Sequence, residues 1–225
     1  MNSIREMQNF SLNCINVICG KEETIKNCIV LFHGYGGDGK DISALAYSWK
    51  RHLDNTIIIC PDGHEMCSIN PSGRQWFDLS RDDPDYILEQ ARLAEKKVSY
   101  FLNEIKNFFK FENKNICLAG FSQGCMISLN LAFGFDEEFN SVIGFSGKII
   151  DKNYLSKKIK NNSRIFLIHG DQDDIVDPSN LLDAKDFFMR HKINIKTKII
   201  ENCGHNISAE ASTLALKFIR ENLNK

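Results

Sequence analysis

The sequence predicts an α/β domain whose mostly parallel sheet is covered by helices on both faces. Three observations lead there. Strand-length runs rich in Ile and Val recur along the chain, helical patterns separate them, and no internal repeat or Gly/Ser- or Pro-rich linker divides the 225 residues. Runs that are apolar throughout, rather than at alternate positions, belong to strands buried on both faces, as inside a parallel sheet. The polar stretch 157–163 is too short to be an interdomain linker, so residues 1–225 are expected to form a single domain.

Taken in order, the alternating stretch 10–18 is expected to supply one or two edge strands. Further strands are expected at 28–32, 56–60, 115–119, 141–145, 164–169 and 196–200. Helices are expected at 42–53, 84–109, 123–133, 179–191 and 207–223. The longest has the clearest pattern: Ile87, Ala91, Ala94, Val98, Phe101, Leu102, Ile105 and Phe109 fall at three- and four-residue steps and form one apolar stripe. The short span between the strands at 141–145 and 164–169 leaves little room for a cap over the sheet.

Composition removes several function classes. Lysine and arginine number 28 against 29 acidic residues, a net charge of -1, so nothing draws the chain to nucleic acid or an anionic membrane. No apolar run approaches the roughly 20 residues of a membrane span. Met1-Asn2-Ser3-Ile4-Arg5-Glu6 lacks the charged-then-apolar order of a secretion signal. The expectation is a soluble cytoplasmic protein with no stable membrane insertion and no nucleic-acid partner.

The 8 cysteines follow no metal-binding spacing: there is no Cys-x-x-Cys, and four residues separate Cys14 from Cys19. His64-Glu65-Met66-Cys67 is followed by Ser68, where a zinc helix would carry its second histidine. Cys28, Cys60 and Cys117 sit in apolar runs, as small core residues do. No disulfide scaffold, metal or cofactor is expected.

In a parallel α/β sheet the functional groups sit on loops leaving the carboxyl ends of strands. Three such loops stand out. After 115–119 comes Gly120-Phe121-Ser122-Gln123-Gly124 and then an apolar helix, the strand–turn–helix setting of a nucleophile elbow. Its glycines permit a tight turn, its serine is pushed out, and the helix amides favour developing negative charge. A decoy, Gly144-Phe145-Ser146-Gly147, lacks the second motif glycine because Lys148 follows.

The second loop, His33-Gly34-Tyr35-Gly36-Gly37-Asp38-Gly39, is placed to supply another oxyanion-stabilising amide. It is no phosphate loop, since Asp41 follows Gly39-Lys40 where Ser or Thr is required. The third, His169-Gly170-Asp171-Gln172-Asp173-Asp174-Ile175-Val176-Asp177, holds four aspartates, any of which can be a triad acid, a solvated group or a helix cap. Near the carboxyl end, Cys203-Gly204-His205-Asn206 puts a histidine on a loop after that cluster, in the order serine, aspartate, histidine.

These motifs resemble those of the carboxylesterase/acyl-protein thioesterase family, also called phospholipase/carboxylesterase, within the α/β-hydrolases. Gly120–Gly124 matches the family's nucleophile motif, and His33-Gly34-Tyr35-Gly36 is similar to its His-Gly-Leu-Gly loop. Arg74-Gln75-Trp76-Phe77-Asp78 is similar to its Arg-x-Trp-Phe-Asp segment, and His169-Gly170-Asp171-x-Asp173 to its acid loop. The resemblance spans roughly residues 25–223. It implies an α/β-hydrolase fold with little or no cap, Ser122 as nucleophile, Asp173 as acid and His205 as base. The implied oxyanion amides are those of Gln123 and Tyr35, the latter standing where the family usually has leucine. Asp174 stands where relatives often carry proline, beside the implied acid.

Trp76 is expected to line an acyl channel, and Arg74 to pair with a local carboxylate such as Asp78. Asp171 is expected to steady its loop by accepting backbone amides. Cys125 and Cys203, next to the nucleophile and the base, are expected to pack structurally, with oxidation there able to block the site. The expected activity is hydrolysis of a small acyl ester or acyl-thioester through an acyl-enzyme. An acylated protein and a lysophospholipid are further candidate substrates. A non-catalytic binding protein on the same fold, and acyl transfer to an acceptor other than water, are the competing readings.

Overall fold

The computed structural model describes residues 10–223. Met1–Glu6, on which the expectation about a secretion signal rests, lie outside them. The chain runs through β1 (Cys14–Cys19), β2 (Asn27–Phe32), α1 (Gly39–Trp49), β3 (Thr56–Pro61), β4 (Glu65–Met66), β5 (Arg74–Gln75) and α2 (Pro84–Phe109). It continues with β6 (Ile116–Phe121), α3 (Gln123–Ala132), β7 (Ser141–Phe145), α4 (Lys152–Lys158), β8 (Ile165–Gly170), α5 (Ser179–Arg190), β9 (Ile195–Ile200) and α6 (Ala209–Leu223).

Seven strands form one sheet in the order β1-β3-β2-β6-β7-β8-β9. Only β1 runs antiparallel, pairing with β3 from Cys14 opposite Pro61 to Cys19 opposite Thr56. The alternating stretch at 10–18 thus yields one edge strand. The inner strands are buried along nearly their whole length, as their unbroken apolar runs require. At the other edge β9 alternates, with Lys196 and Lys198 exposed, which blunts an open edge against strand addition.

Helices cover both faces. Ala91, Ala94, Val98, Phe101, Leu102 and Ile105 of α2 pack with α3 and α5 in one core. The other core joins Ile42, Ala46 and Trp49 of α1 to Ala211, Ala215 and Ile219 of α6. Every residue of α3 is buried, as a helix apolar on all sides must be. Asp83 starts α2 by accepting the amides of Asp85 and Tyr86, with Pro84 in the first turn.

Three local differences from the sequence expectation have clear causes. Helix α1 begins at Gly39 rather than 42, because the Asp38 side chain caps it through the Asp41 amide at 2.8 Å, and residues 50–52 wind as a separate short turn. The helix α4, capped by Asp151 through the Tyr154 amide at 2.5 Å, is too short to announce itself by periodicity. The two-residue strands β4 and β5 form a small antiparallel ribbon outside the main sheet. Among the described residues no helix is long and apolar enough to cross a membrane.

Candidate active site

At the end of β6 the chain turns sharply into α3, and Ser122 takes φ 52°, ψ -115° at the turn. A non-glycine residue held at positive φ is strained, so the surroundings must enforce it. They do so by close approach: a Cβ on Gly120 would lie 2.3 Å from the Gly124 carbonyl, and one on Gly124 would lie 2.3 Å from the Phe32 carbonyl oxygen. Only glycine fits at either place. The Ser122 amide donates to Phe145 O at 2.8 Å, tying the turn to β7. Ser146 of the decoy motif also has positive φ, at 49°, and like Ser122 is buried.

The structure brings Ser122, His205 and Asp173 together from three separate loops. His205 Nε2 lies 3.0 Å from Ser122 Oγ, and Nδ1 lies 2.8 and 2.9 Å from the two Asp173 carboxylate oxygens. A carboxylate only accepts, so Nδ1 carries the ring proton and Nε2 is left to accept from the serine hydroxyl. The imidazole rests on Phe121, ring centroids 4.9 Å apart.

Asp173 is buried, whereas Asp174 is exposed. Burial alone would raise the Asp173 carboxyl. The Val176 amide, the His205 ring and the Ile175 amide outweigh it and hold the group below the ordinary carboxylate range. Asp171 accepts the Cys203 amide at 3.2 Å, steadying the His205 loop across from its own, and Asp177 accepts the Ser179 amide at 2.8 Å at the start of α5.

His169 is a partner that sequence reasoning missed. Its side chain is 1% exposed, and its Nε2 lies 3.1 Å from Asp173 Oδ2 and 2.8 Å from Val176 O. Both neighbours are acceptors, so Nε2 donates to both and grips the acid loop from behind. As the last-but-one residue of β8 it reads as a strand end; only the return of the loop beneath it reveals the contact.

The loop after β2 is held from several sides. His33 Nε2 accepts the Gly63 amide at 2.8 Å, which leaves Nδ1 as the protonated nitrogen, 2.7 Å from Gly34 O. Gly36, at φ +78°, exchanges backbone bonds with the next segment: Gly36 N donates to Arg74 O at 2.9 Å, and Arg74 N donates to Gly37 O at 2.8 Å. The Tyr35 hydroxyl meets Ser68 Oγ at 2.8 Å. No acceptor among the described residues takes the Tyr35 amide. Gln123 is the first residue of α3, where an amide has no acceptor within its own helix.

Trp76 lies elsewhere than the sequence led us to expect. It is 0% exposed, behind the loop rather than on a channel wall, because its Nε1 donates to His33 O at 2.9 Å and its ring packs on Phe32 and His33. The Gln123 side chain completes this clamp, accepting the Trp76 amide at 2.8 Å and donating to Phe77 O at 2.7 Å. Arg74 does not pair with Asp78 either: that carboxylate accepts instead from Ser80 and from the Tyr86 hydroxyl, at 2.7 Å.

Cys125 and Cys203 are both buried, and burial pushes the Cys125 thiol up to about 12, a value that disfavours the oxidisable thiolate. The 8 cysteines are free thiols. Next to His205, a cleft of about 800 Å³ opens between α1 and α6, bounded by residues 33–37 on one side and 205–209 on the other.

A seven-stranded α/β sheet with a strained serine turn, a buried aspartate–histidine pair and a glycine loop beside it defines an α/β-hydrolase. The phospholipase/carboxylesterase family model matches residues 12–223, and the chain belongs to that family. It is similar to the esterase YpfH of Escherichia coli K12, 24% identical over 93% of this chain and 88% of that protein. It is likewise similar to acyl-protein thioesterase 1 of Kluyveromyces lactis, 26% identical over 94% and 98% of the two. Among solved structures, that of esterase PE8 superposes with a TM-score of 0.88 at 31% identity, covering 95% of this chain and 99% of the other.

Proposed function

We propose that this chain is a serine hydrolase that cleaves carboxylic esters or thioesters of small acyl groups or acyl chains. The observation that carries the reading is the line from Ser122 Oγ through His205 to Asp173, with 3.0 Å at the first step and 2.8 Å at the second. His205 Nε2 takes the Ser122 proton as the oxygen attacks the carbonyl carbon. Asp173 holds the ring in the tautomer that accepts this proton and stabilises the imidazolium. The Tyr35 and Gln123 amides hold the oxyanion, and the clamp of Gln123, Trp76 and Arg74 keeps the Tyr35 loop in register with the serine.

The imidazolium then gives its proton to the departing alcohol or thiol, leaving Ser122 acylated. Water, deprotonated by His205, attacks next; acid leaves and the serine is restored. His169 and Asp171 act behind this line as positioning residues, one on the acid loop and one on the histidine loop. No cofactor enters the scheme, and one catalytic domain suffices for it.

The test pairs a fluorophosphonate probe with 4-nitrophenyl butyrate. Wild type should be labelled and should hydrolyse the ester. Ser122→Ala should lose labelling and at least about 10³-fold in kcat/KM with its circular dichroism unchanged. A Ser122→Ala protein retaining a tenth of the activity would overturn the assignment. A series of acyl lengths, run beside an acyl thioester, then separates esterase from thioesterase and lysophospholipase preference.

A further inference from the structure

The cleft between α1 and α6 has a direction relative to the reaction. When the ester breaks, the bond between carbonyl carbon and alkoxy oxygen opens, and that oxygen takes the proton His205 Nε2 received from Ser122. The departing oxygen therefore lies against His205, and what it carries extends past the imidazole. In this molecule the space past the imidazole is the cleft, on whose wall His205 stands together with Gly34 of the β2 loop. Gly34 is itself close to the nucleophile, since a Cβ there would sit 3.4 Å from Ser122 Cβ.

The lining states what fits. Ile42, Leu45 and Trp49 of α1 face Ile207 and Leu216 across the cleft, giving it an apolar interior. The one indole nitrogen among them is already used, donating to Ser212 Oγ at 2.9 Å and bracing α1 against α6. Apart from His205, the ionisable lining residues are His33 and Tyr35 of the β2 loop, at the reaction end, with Asp41 in the first turn of α1 and His52 just beyond its last. About 800 Å³ is ample for an alkyl or aryl group.

We propose that this cleft is the leaving-group subsite, and that it takes the uncharged, apolar body of an alcohol while the acyl group lies outside it. The proposal rests on Ser122 and His205 acting as nucleophile and base. It places the chain's selectivity for the departing alcohol on α1 and α6, two helices that carry none of Ser122, Asp173 and His205.

Two ester series separate the subsites. Ethyl, butyl, hexyl and octyl acetates vary the alcohol at constant acyl group and nearly constant leaving-group acidity. Ethyl acetate, butanoate, hexanoate and octanoate vary the acyl group alone. In wild type, kcat/KM should rise about tenfold or more from ethyl to hexyl acetate, since each buried methylene favours binding. Ala44→Trp and Thr213→Trp, at two exposed positions on the cleft walls, should abolish that rise. Both should leave ethyl acetate within about twofold of wild type and the acyl series unaltered.

A flat alcohol series in wild type, or a rise surviving both tryptophans, overturns the proposal. So does a tryptophan effect confined to the acyl series, which would make the cleft the acyl subsite. Failure of the hydrolase reading looks different: no ester of either series is cleaved and the fluorophosphonate does not label.

Discussion

At position 173 one carboxylate serves four donors: the His205 and His169 rings and the amides of Ile175 and Val176. An ionised carboxylate has about four lone-pair positions, so every one is in use. Asn at this position offers an NH₂ where His205 needs an acceptor. It would press the ring proton onto Nε2, which then cannot take one from Ser122. Asp173→Asn should therefore lose on the order of 10³ to 10⁴ in kcat, as the corresponding change does in a serine protease. Exposed Asp174 makes no such bonds, and Asp174→Asn should stay within about threefold of wild type. Asp171→Asn should act mainly on melting temperature, because the carboxylate oxygen it alters holds the Cys203 amide. Measuring kcat and Tm for the three proteins together decides the matter. An inactive Asp174→Asn beside an active Asp173→Asn would move the acid by one residue.

At the scale of elements, the strand–turn–helix from β6 to α3 is where packing and chemistry share atoms. Gly124 lets α3 rest directly on the end of β2, and a Cβ there would press on the carbonyl oxygens of Phe32 and His33 at 2.3 and 2.6 Å. Those carbonyls lead into the loop that bears the Tyr35 amide. Gly124→Ala should therefore cost about 1–3 kcal/mol of stability through overpacking. It should also lower kcat/KM more than tenfold, since the amides proposed to hold the oxyanion would shift against the serine. Gly134→Ala is the matched control: its Cβ meets the Lys158 Cε at 2.3 Å, the movable end of a long side chain. Denaturant midpoints and ester turnover on both proteins should show a paired loss only for Gly124→Ala. Equal effects would remove the special role given to the β2 contact.

For the whole molecule, the two cores on either side of the sheet leave the site at one end of it, where loops following β2, β6, β8 and β9 converge. Converging loops bury titratable groups, and stability then depends on pH. Burial lowers His33 below its ordinary value of about 6.5, against smaller opposing effects from the Gly34 carbonyl and Asp62. Between the unfolded and folded values the unfolded chain binds the extra proton. The stability from a neutral His33 is thus full above about pH 6.5 and is lost as the pH falls through the folded value. Burial lowers His64 in the same sense. Asp173, held low, contributes stability that is present above about pH 3.9 and lost as the pH falls further. Melting temperature should accordingly decline from pH 7 to pH 5 and again below pH 4. His33→Gln should melt lower at pH 7, with a shallower slope between pH 7 and 5. An unaltered slope would show that His33 does not contribute to it.

Much of this architecture is legible along the chain because its causes are local. The strand runs at 56–60 and 141–145, the stripe of α2 and the glycines flanking Ser122 each act within a few residues of themselves, so periodicity and turn chemistry reveal them. The chain order of Ser122, Asp173 and His205 is legible for the same reason: each sits on a loop that its own strand announces. Only the tertiary structure decides which side chains meet across loops. Trp76 stands 43 residues from the His33 carbonyl it holds, and the Gln123 side chain 47 residues from the Trp76 amide it accepts. A tryptophan near an acyl site reads as a channel wall until the fold buries it. His169 grips Asp173 because the loop doubles back under β8. The cleft exists because α1 and α6 share one face of the sheet, with Trp49 bonded to Ser212 across 163 positions. Backbone preference is set by neighbours in sequence, whereas contact is set by the sheet order, which the chain's own periodicity does not encode.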